Sequence, residues 1–434
     1  MRKKGGATVI GLTAPFGSGC STSAEILKAK LGFRIVRLSE MIRKEWRVKN
    51  PSRKPTRADL QTLGNQIRKT ARNPGELARL AIEDLTEGSS LVVDGIRNVG
   101  EVEYLRETFG RKFYLVAIEC PQSERYERLQ QAGLYADIDR FREDNERDKD
   151  EEDRYGQQVA LCVDAADVLL VNDGETTMPR LREKVVEYVD VVTGSTPRYA
   201  RPDEILMNLA YSASHGSKCL KRQVGAVLVD APFGRMGTVV GQGFNENPSG
   251  TSPCVEEKEY GADPKAAIPG RCYRDIVREK SFTELAKQKA RCPACGKPLA
   301  STVTPEPPWR CAGCSRNLED YFWPERAMSW CTAIHAEVAS ILSAGMRARG
   351  TTLYTTTFPC FQCAEKIAQA GITSVVFTEP YPDIRAAERL SIAGIEAIRF
   401  EGVRSGRFDE IFSRARPYVA TQRAAMSKPS KGQA

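Results

Sequence analysis

Short, nearly unbroken apolar runs recur along the first part of the chain, at residues 7–13 (Ala-Thr-Val-Ile-Gly-Leu-Thr), 90–94, 113–119 and 167–171. Each is too short for a helix and reads as a buried strand. Apolar positions at helical spacing lie between and after them, as at 123–132 and 179–192, and a further helix starts near Ser21. Strands alternating with helices predict a parallel sheet covered on both faces, an α/β domain over 1–194. The stretch 194–202, with its Gly, Ser, Thr and two prolines, reads as a linker. A second α/β pattern fills 203–420. Its strands are expected at 225–230, 238–243, 352–357, 374–378 and 396–400, and its helices near 203–215, 335–348, 360–370 and 384–393. Residues 251–330 break that rhythm and carry six cysteines, as an insertion would. The tail 421–434 is polar and aperiodic, and disorder is expected there.

A chain of 434 residues is long for one core and natural for two domains. No run of eighteen apolar residues occurs, so no membrane span is expected. Met1-Arg2-Lys3-Lys4 leads into a strand-like run rather than a signal peptide, so a cytoplasmic location is the expectation. The net charge of +8 suits a polynucleotide binder or an enzyme with polyphosphate ligands. Its Lys and Arg are scattered, and basic and aromatic residues do not interleave as a strand-gripping groove requires. Stable nucleic-acid binding is therefore not expected. Thirteen cysteines accompany only two histidines, and in a cytosolic chain paired cysteines favour metal over disulfides.

The cysteine spacings sharpen that choice. His335-Ala336-Glu337 is followed about two dozen residues on by Pro359-Cys360-Phe361-Gln362-Cys363. H-x-E with P-C-x-x-C is the signature of zinc deaminases. His335, Cys360 and Cys363 supply three ligands and leave a fourth tetrahedral position for water, as a catalytic zinc requires. Each part of the motif falls at a predicted helix start, where partial positive charge favours thiolate. Water activated there attacks C4 of a cytosine ring, while Glu337 takes the water proton and delivers protons to ring N3 and the departing ammonia.

Cys292-Pro-Ala-Cys295 and Cys311-Ala-Gly-Cys314, fifteen residues apart, form a zinc-ribbon pattern within 292–314, with Gly296 and Gly313 fitting the knuckle turns. Four ligands close such a site, so its zinc is expected to be structural.

The runs Lys218–Val227, Gly241–Gly250 and Thr352–Cys360, with Ala370-Gly371-Ile372 and Tyr381-Pro382-Asp383, resemble the deoxycytidylate deaminase family. The resemblance covers most of 203–400 outside the insertion. It implies a five-stranded sheet between helices and a deoxycytidine nucleotide substrate. It also implies that Asn245 contacts the sugar and that Tyr381 lines the pocket, where a core tyrosine is the alternative. Glu246 stands where the family usually has Gly. The resemblance further implies another zinc, held by Cys219, Cys254, Cys272 and Cys331; otherwise these four are buried thiols. One catalytic and one or two structural zinc ions are thus expected.

Ala14-Pro15-Phe16-Gly17-Ser18-Gly19-Cys20-Ser21-Thr22 sits between a predicted strand and helix, as a P-loop does. Gly17, Gly19, Ser21 and Thr22 are the candidate phosphate holders. Cys20 stands where such loops carry lysine, which argues against phosphoryl transfer. Asp94, closing a hydrophobic strand ahead of Arg97, reads as a Walker-B-like acid. The charged stretch 140–154 reads as a lid or as a solvated helix face. Residues 1–194 resemble the nucleoside monophosphate kinase group of P-loop proteins, which implies a regulatory nucleotide here. A kinase-like domain joined to a deoxycytidylate-type deaminase resembles bacterial anti-phage deoxycytidine nucleotide deaminases, which deplete dCTP or dCMP. A homo-oligomer is the expectation. A housekeeping dCMP deaminase and a polynucleotide cytidine deaminase are the alternatives.

Overall fold

The computed structural model describes residues 8–83, 88–149, 153–196, 198–251, 254, 272–277, 280, 291–299, 310–316, 318, 331–379 and 384–413. Two compact units emerge, 1–208 with 399–434, and 209–398.

The first unit carries a six-stranded sheet. Its strands and helices follow in the order β1 (Val9–Thr13), α1 (Cys20–Leu31), β2 (Arg34–Arg37), α2 (Leu38–Lys49), α3 (Arg57–Ala71), α4 (Glu76–Ile82), β3 (Leu91–Ile96) and α5 (Val99–Phe109). Then come β4 (Phe113–Glu119), α6 (Gln122–Gln131), α7 (Ile138–Lys149), α8 (Val159–Asp164), β5 (Val168–Val171) and α9 (Met178–Thr193). β1 pairs in parallel with both β3 and β4, so strand order reverses at β1. Ligands of doubly wound sheets enter at the carboxyl end of such a strand. Ile10, Leu12, Val92, Tyr114, Val116, Ile118 and Val168 build the core on one sheet face with Leu27, Val185 and Val189 of the flanking helices.

Helix α10 (Pro202–Ser214) carries the chain into the second unit, a five-stranded sheet. It contains β6 (Gly225–Asp230), β7 (Thr238–Phe244), α11 (Ala336–Ala344), β8 (Thr352–Thr357), α12 (Phe361–Ala370), β9 (Ser374–Glu379), α13 (Ile384–Ile392) and β10 (Glu396–Arg399). The order is β10-β9-β8-β6-β7. β6 pairs antiparallel with β7 and β8, and β8 pairs in parallel with β9. Gly241 and Gly243 let β7 lie almost against α11. A Cβ on Gly241 would sit 2.4 Å from the Ser340 carbonyl oxygen, and one on Gly243 2.5 Å from the Ser340 nitrogen.

The sequence pattern runs the second domain to 420, but residues from 399 onward join the first unit. A two-residue strand, β11 (Gly402–Val403), pairs antiparallel with β5 and closes that edge of the first sheet. The Arg404 N–H donates to the Asp167 carbonyl at 2.8 Å, and the Val171 N–H to Glu401 at 2.9 Å. Ile411 of α14 (Ser405–Ser413) enters the first core. Residues 421–434 lie outside the described residues, as does most of 251–330. Among the described residues, no helix is long and apolar enough to cross a membrane.

Candidate active site

His335 is the N-cap of α11 and Cys360 the N-cap of α12, both with extended backbone. β8 delivers the chain to Cys360, and the Phe358 N–H is fixed on the Glu379 carbonyl at 2.8 Å. Two helix N-termini thus present their first turns to one point. His335 Nδ1 lies 3.2 Å from Cys363 Sγ and 3.4 Å from Cys360 Sγ. Glu337, in the first turn of α11, is buried, and its Oε2 lies 3.6 Å from Cys363 Sγ.

The electrostatics separate these groups. The hydrogen bond from Cys363 pulls the Cys360 thiol down to about 4 against the effect of burial, with His335 acting in the same direction. Cys363 is correspondingly pushed well above the usual thiol range by sharing its proton with Cys360, and then by burial and Glu337. Burial raises the Glu337 carboxyl, with His335 opposing. The hydrogen bond to Cys360 raises His335.

One imidazole nitrogen and two sulfurs lie within 4.8 Å of one another. Nitrogen and sulfur donors of this type suit zinc, and three protein ligands leave the open position of a catalytic site. The residues therefore fit the metal, and the buried carboxyl stands beside them as a fourth group.

The cysteines of the insertion form a second group. Cys292, Cys295, Cys311 and Cys314 also converge within 4.8 Å, with Cys292 3.8 Å from Cys314 and Cys295 3.5 Å from Cys311. Both halves fold alike. The Gly296 N–H donates to the Cys292 carbonyl at 2.8 Å, and the Ser315 N–H to the Cys311 carbonyl at 2.7 Å. Gly296 and Ser315 take the left-handed conformation that turns each knuckle. In the second knuckle that residue is Ser315, not the Gly313 expected from the sequence. Gly313 instead makes room for Lys297, since a Cβ there would lie 2.5 Å from Lys297 Cδ.

Residues 200–379 match the family described as the cytidine and deoxycytidylate deaminase zinc-binding region. This stretch of the chain belongs to the cytidine and deoxycytidylate deaminase zinc-binding family. Residues 10–160 match an AAA domain, so a P-loop kinase-like unit precedes the zinc-binding region. A deoxycytidylate deaminase from Schizosaccharomyces pombe is 25% identical over 382 residues, 85% of this chain and 89% of that one. The first unit belongs to the UPF0200 family. A UPF0200 protein of Saccharolobus islandicus is 31% identical over 172 residues, 38% of this chain and 84% of its own length. A UPF0200/UPF0201 protein of Archaeoglobus fulgidus is 34% identical over 163 residues, 36% of this chain, and the chain spans about half of that relative, 48%. The solved dCMP deaminase of cyanophage S-TIM5 in complex with dCMP and dUMP is 20% identical, covering 45% of this chain and 95% of its own, with a TM-score of 0.26.

The other residues picked out in the deaminase half are placed less uniformly. Asn245 is buried, and its amide is engaged with the backbone: Oδ1 accepts from the Val224 N–H at 2.7 Å, and Nδ2 donates to the Arg222 carbonyl at 2.9 Å. Glu246 bridges to Ile334, which ties this loop to the residue before His335. Tyr381 lies outside the described residues. Among the described residues, Cys219, Cys254, Cys272 and Cys331 are not drawn together as the other two groups are. They remain near enough to act on one another: burial first, then neighbouring thiols that include Cys219 and Cys272, raises Cys254 and Cys331.

In the first unit, Gly17 and Gly19 take φ of 85° and 108°, conformations that only glycine adopts readily, and α1 starts at Cys20. The Ser21 hydroxyl donates to Asp94 at 2.9 Å. Cys20 is driven far above the thiol range by burial and by Asp94, so it stays a neutral thiol, and a thiol in either protonation state lacks the positive charge of a lysine. The sequence reading missed Arg57 and Asp148, which join Arg97 beside this loop. The only signal for Asp148 was the charged stretch 140–154, whose Phe141, Asp144, Asn145 and Asp148 are buried rather than solvated, and Arg57 carried none.

Proposed function

We propose that this chain hydrolytically deaminates free deoxycytidine nucleotides, dCMP or dCTP, to the uracil forms. His335, Cys360 and Cys363 would hold a catalytic zinc and Glu337 would move the protons. The observation that carries this is a buried carboxyl set beside an imidazole and two thiols at the meeting of two helix N-termini. When bound, zinc supplies Lewis acidity that lowers the pKa of water by several units. Glu337 takes a proton from the attacking water, a C4–O bond forms, the C4–N bond breaks, and protons pass to ring N3 and to the leaving ammonia. A carboxyl raised by burial is suited to accept and return protons near neutral pH. Cys292, Cys295, Cys311 and Cys314 would hold a structural zinc, and Cys219, Cys254, Cys272 and Cys331 another. Asn245 would contact the sugar and Tyr381 would line the pocket. The glycine loop of the first unit, through Gly17, Gly19, Ser21 and Thr22, binds a regulatory nucleotide.

We further propose that the activity serves anti-phage defence by depleting nucleotide pools, in a cytoplasmic homo-oligomer. The housekeeping reading has a specific observation in its favour. The match to the Schizosaccharomyces pombe deoxycytidylate deaminase runs through both halves of this chain, so a kinase-like unit does not by itself favour defence.

Incubation with dCMP, dCTP, CTP and a cytosine-containing oligonucleotide, followed for uracil, tests the substrate class. Turnover of the oligonucleotide alone would overturn it. Phage plating on cells carrying the chain or its Glu337→Gln variant tests the role, and equal plating would remove the defence reading.

A further inference from the structure

Three charged side chains beside the glycine loop of the first unit form a closed clamp that the deaminase reaction does not use. Arg97 follows β3, Arg57 opens α3, and Asp148 lies in the last turn of α7. Arg97 Nη1 donates to Asp148 Oδ1 at 2.6 Å, and Arg57 Nη2 to the same oxygen at 2.8 Å. The Asp148 side chain is 2% exposed. Burial alone would raise its pKa, but Arg97 and Arg57 outweigh burial and hold the carboxyl below its ordinary range.

The clamp is attached to the loop itself. The Arg57 guanidinium lies over the Phe16 ring, 3.8 Å from its centroid, and Arg125 donates to the Phe16 carbonyl at 3.0 Å. Cys20, where a P-loop would place lysine, feels the charges of Asp94, Arg97 and Asp148. The Arg97 backbone is fixed independently of Asp148, because its N–H donates to Glu101 at 2.9 Å and Glu101 pairs with the buried Arg68 at 2.7 Å. Among the described residues, two buried polar atoms have no hydrogen-bond partner here: Arg57 Nε in the clamp and the Ser18 hydroxyl in the loop.

Two guanidiniums converging on one carboxylate, with Arg57 Nε left as a spare donor, are arranged as for a phosphate group. We propose that Asp148 holds the place of a phosphate between Arg57 and Arg97, and that a phosphate ester entering the glycine loop binds by displacing this carboxylate. The proposal rests on the reading that the loop binds nucleotide. A phosphate offers more charge and more acceptor oxygens than a carboxylate, and arginine forks donate to either. Without such an occupant, the Arg57 and Arg97 guanidiniums, 26% and 25% exposed, would face each other with no anion between them, and like charges at close range repel. The carboxylate therefore keeps the site formed when empty. It also weakens binding, because each ligand must first displace it, so the loop responds only to a plentiful phosphate ester. Arginine charge thus takes the part of the absent lysine.

The test uses the full chain with inorganic pyrophosphate as probe. By calorimetry, Asp148→Asn is expected to bind pyrophosphate about tenfold tighter than the unmodified chain, or more. Equal or weaker binding by a folded variant overturns the displacement. Should that variant not fold, amide hydrogen exchange on the unmodified chain decides. With saturating pyrophosphate, residues 14–22 should exchange more slowly and residues 145–149 several-fold faster. Slower exchange in the loop with unchanged or slower exchange at 145–149 means that phosphate binds with the clamp closed, which overturns this proposal and leaves the nucleotide reading standing. Absence of pyrophosphate binding in either chain overturns both.

Discussion

Gly243→Ala probes the device that sets the candidate catalytic helix in place. A Cβ at this position would lie 2.5 Å from the Ser340 nitrogen, 2.6 Å from Ala339 Cβ and 2.7 Å from the Ala339 carbonyl carbon. Ordinary contact begins near 3.4 Å, so β7 and α11 must separate by about 3.4 − 2.5 = 0.9 Å. Two of the three atoms are helix backbone, and no side-chain rotation relieves the clash. Overpacking of this kind costs about 1–3 kcal/mol. His335 is the N-cap of the same helix and Glu337 lies in its first turn, so the shift also reaches the proposed ligand and the proposed proton carrier. A displacement of about 1 Å can lower a rate about 100-fold. Thermal unfolding and steady-state deamination of dCMP measure the two effects, and the rate loss should appear in kcat more than in KM. A variant with parental Tm and parental kcat would refute the claim that close β7–α11 packing positions the site.

Cys292→Ser should reduce the zinc content by one ion per chain and lower stability more than it lowers turnover per folded molecule, because a closed four-thiolate site contributes folding energy. Unchanged metal content by elemental analysis would remove the ribbon assignment. In metal-stripped protein the Cys360 thiol, drawn down to about 4 by Cys363, is already thiolate at pH 6, where an ordinary thiol of pKa about 8.5 is protonated. Alkylation followed by peptide mapping should therefore find Cys360 modified first at pH 6, with its rate falling only as the pH drops through about 4. Preferential modification of Cys363 would reverse the assignment of the thiolate.

The elements that sequence reading found are those whose signal is local. The strands at 113–119 and 225–230 are nearly continuous apolar runs because both faces are buried, the strand at 352–357 is marked by its β-branched threonines, and each appears with those bounds. β2 was missed because two of its four residues are arginine and only Val36 is fully buried. β11 was missed because two residues carry no periodicity and its partner β5 lies more than two hundred positions away in sequence. The same division holds at the sites. His335, Glu337, Cys360 and Cys363 were legible because each pair shares one helix start, and the spacing encodes the chemistry. The Arg57–Asp148 pair spans 91 positions and exists only because α3 and α7 meet beside the loop. No spacing rule reports it.

The central claim is that Glu337 carries the protons of a zinc-dependent deamination. Glu337→Gln nearly preserves shape while removing the group that accepts and returns a proton. The decisive measurement is dCMP deamination by this variant, with zinc content and unfolding temperature recorded on the same sample. Parental zinc and Tm with a rate reduced at least ~100-fold is the predicted result. Deamination near the parental rate, with zinc and fold intact, would contradict the mechanism.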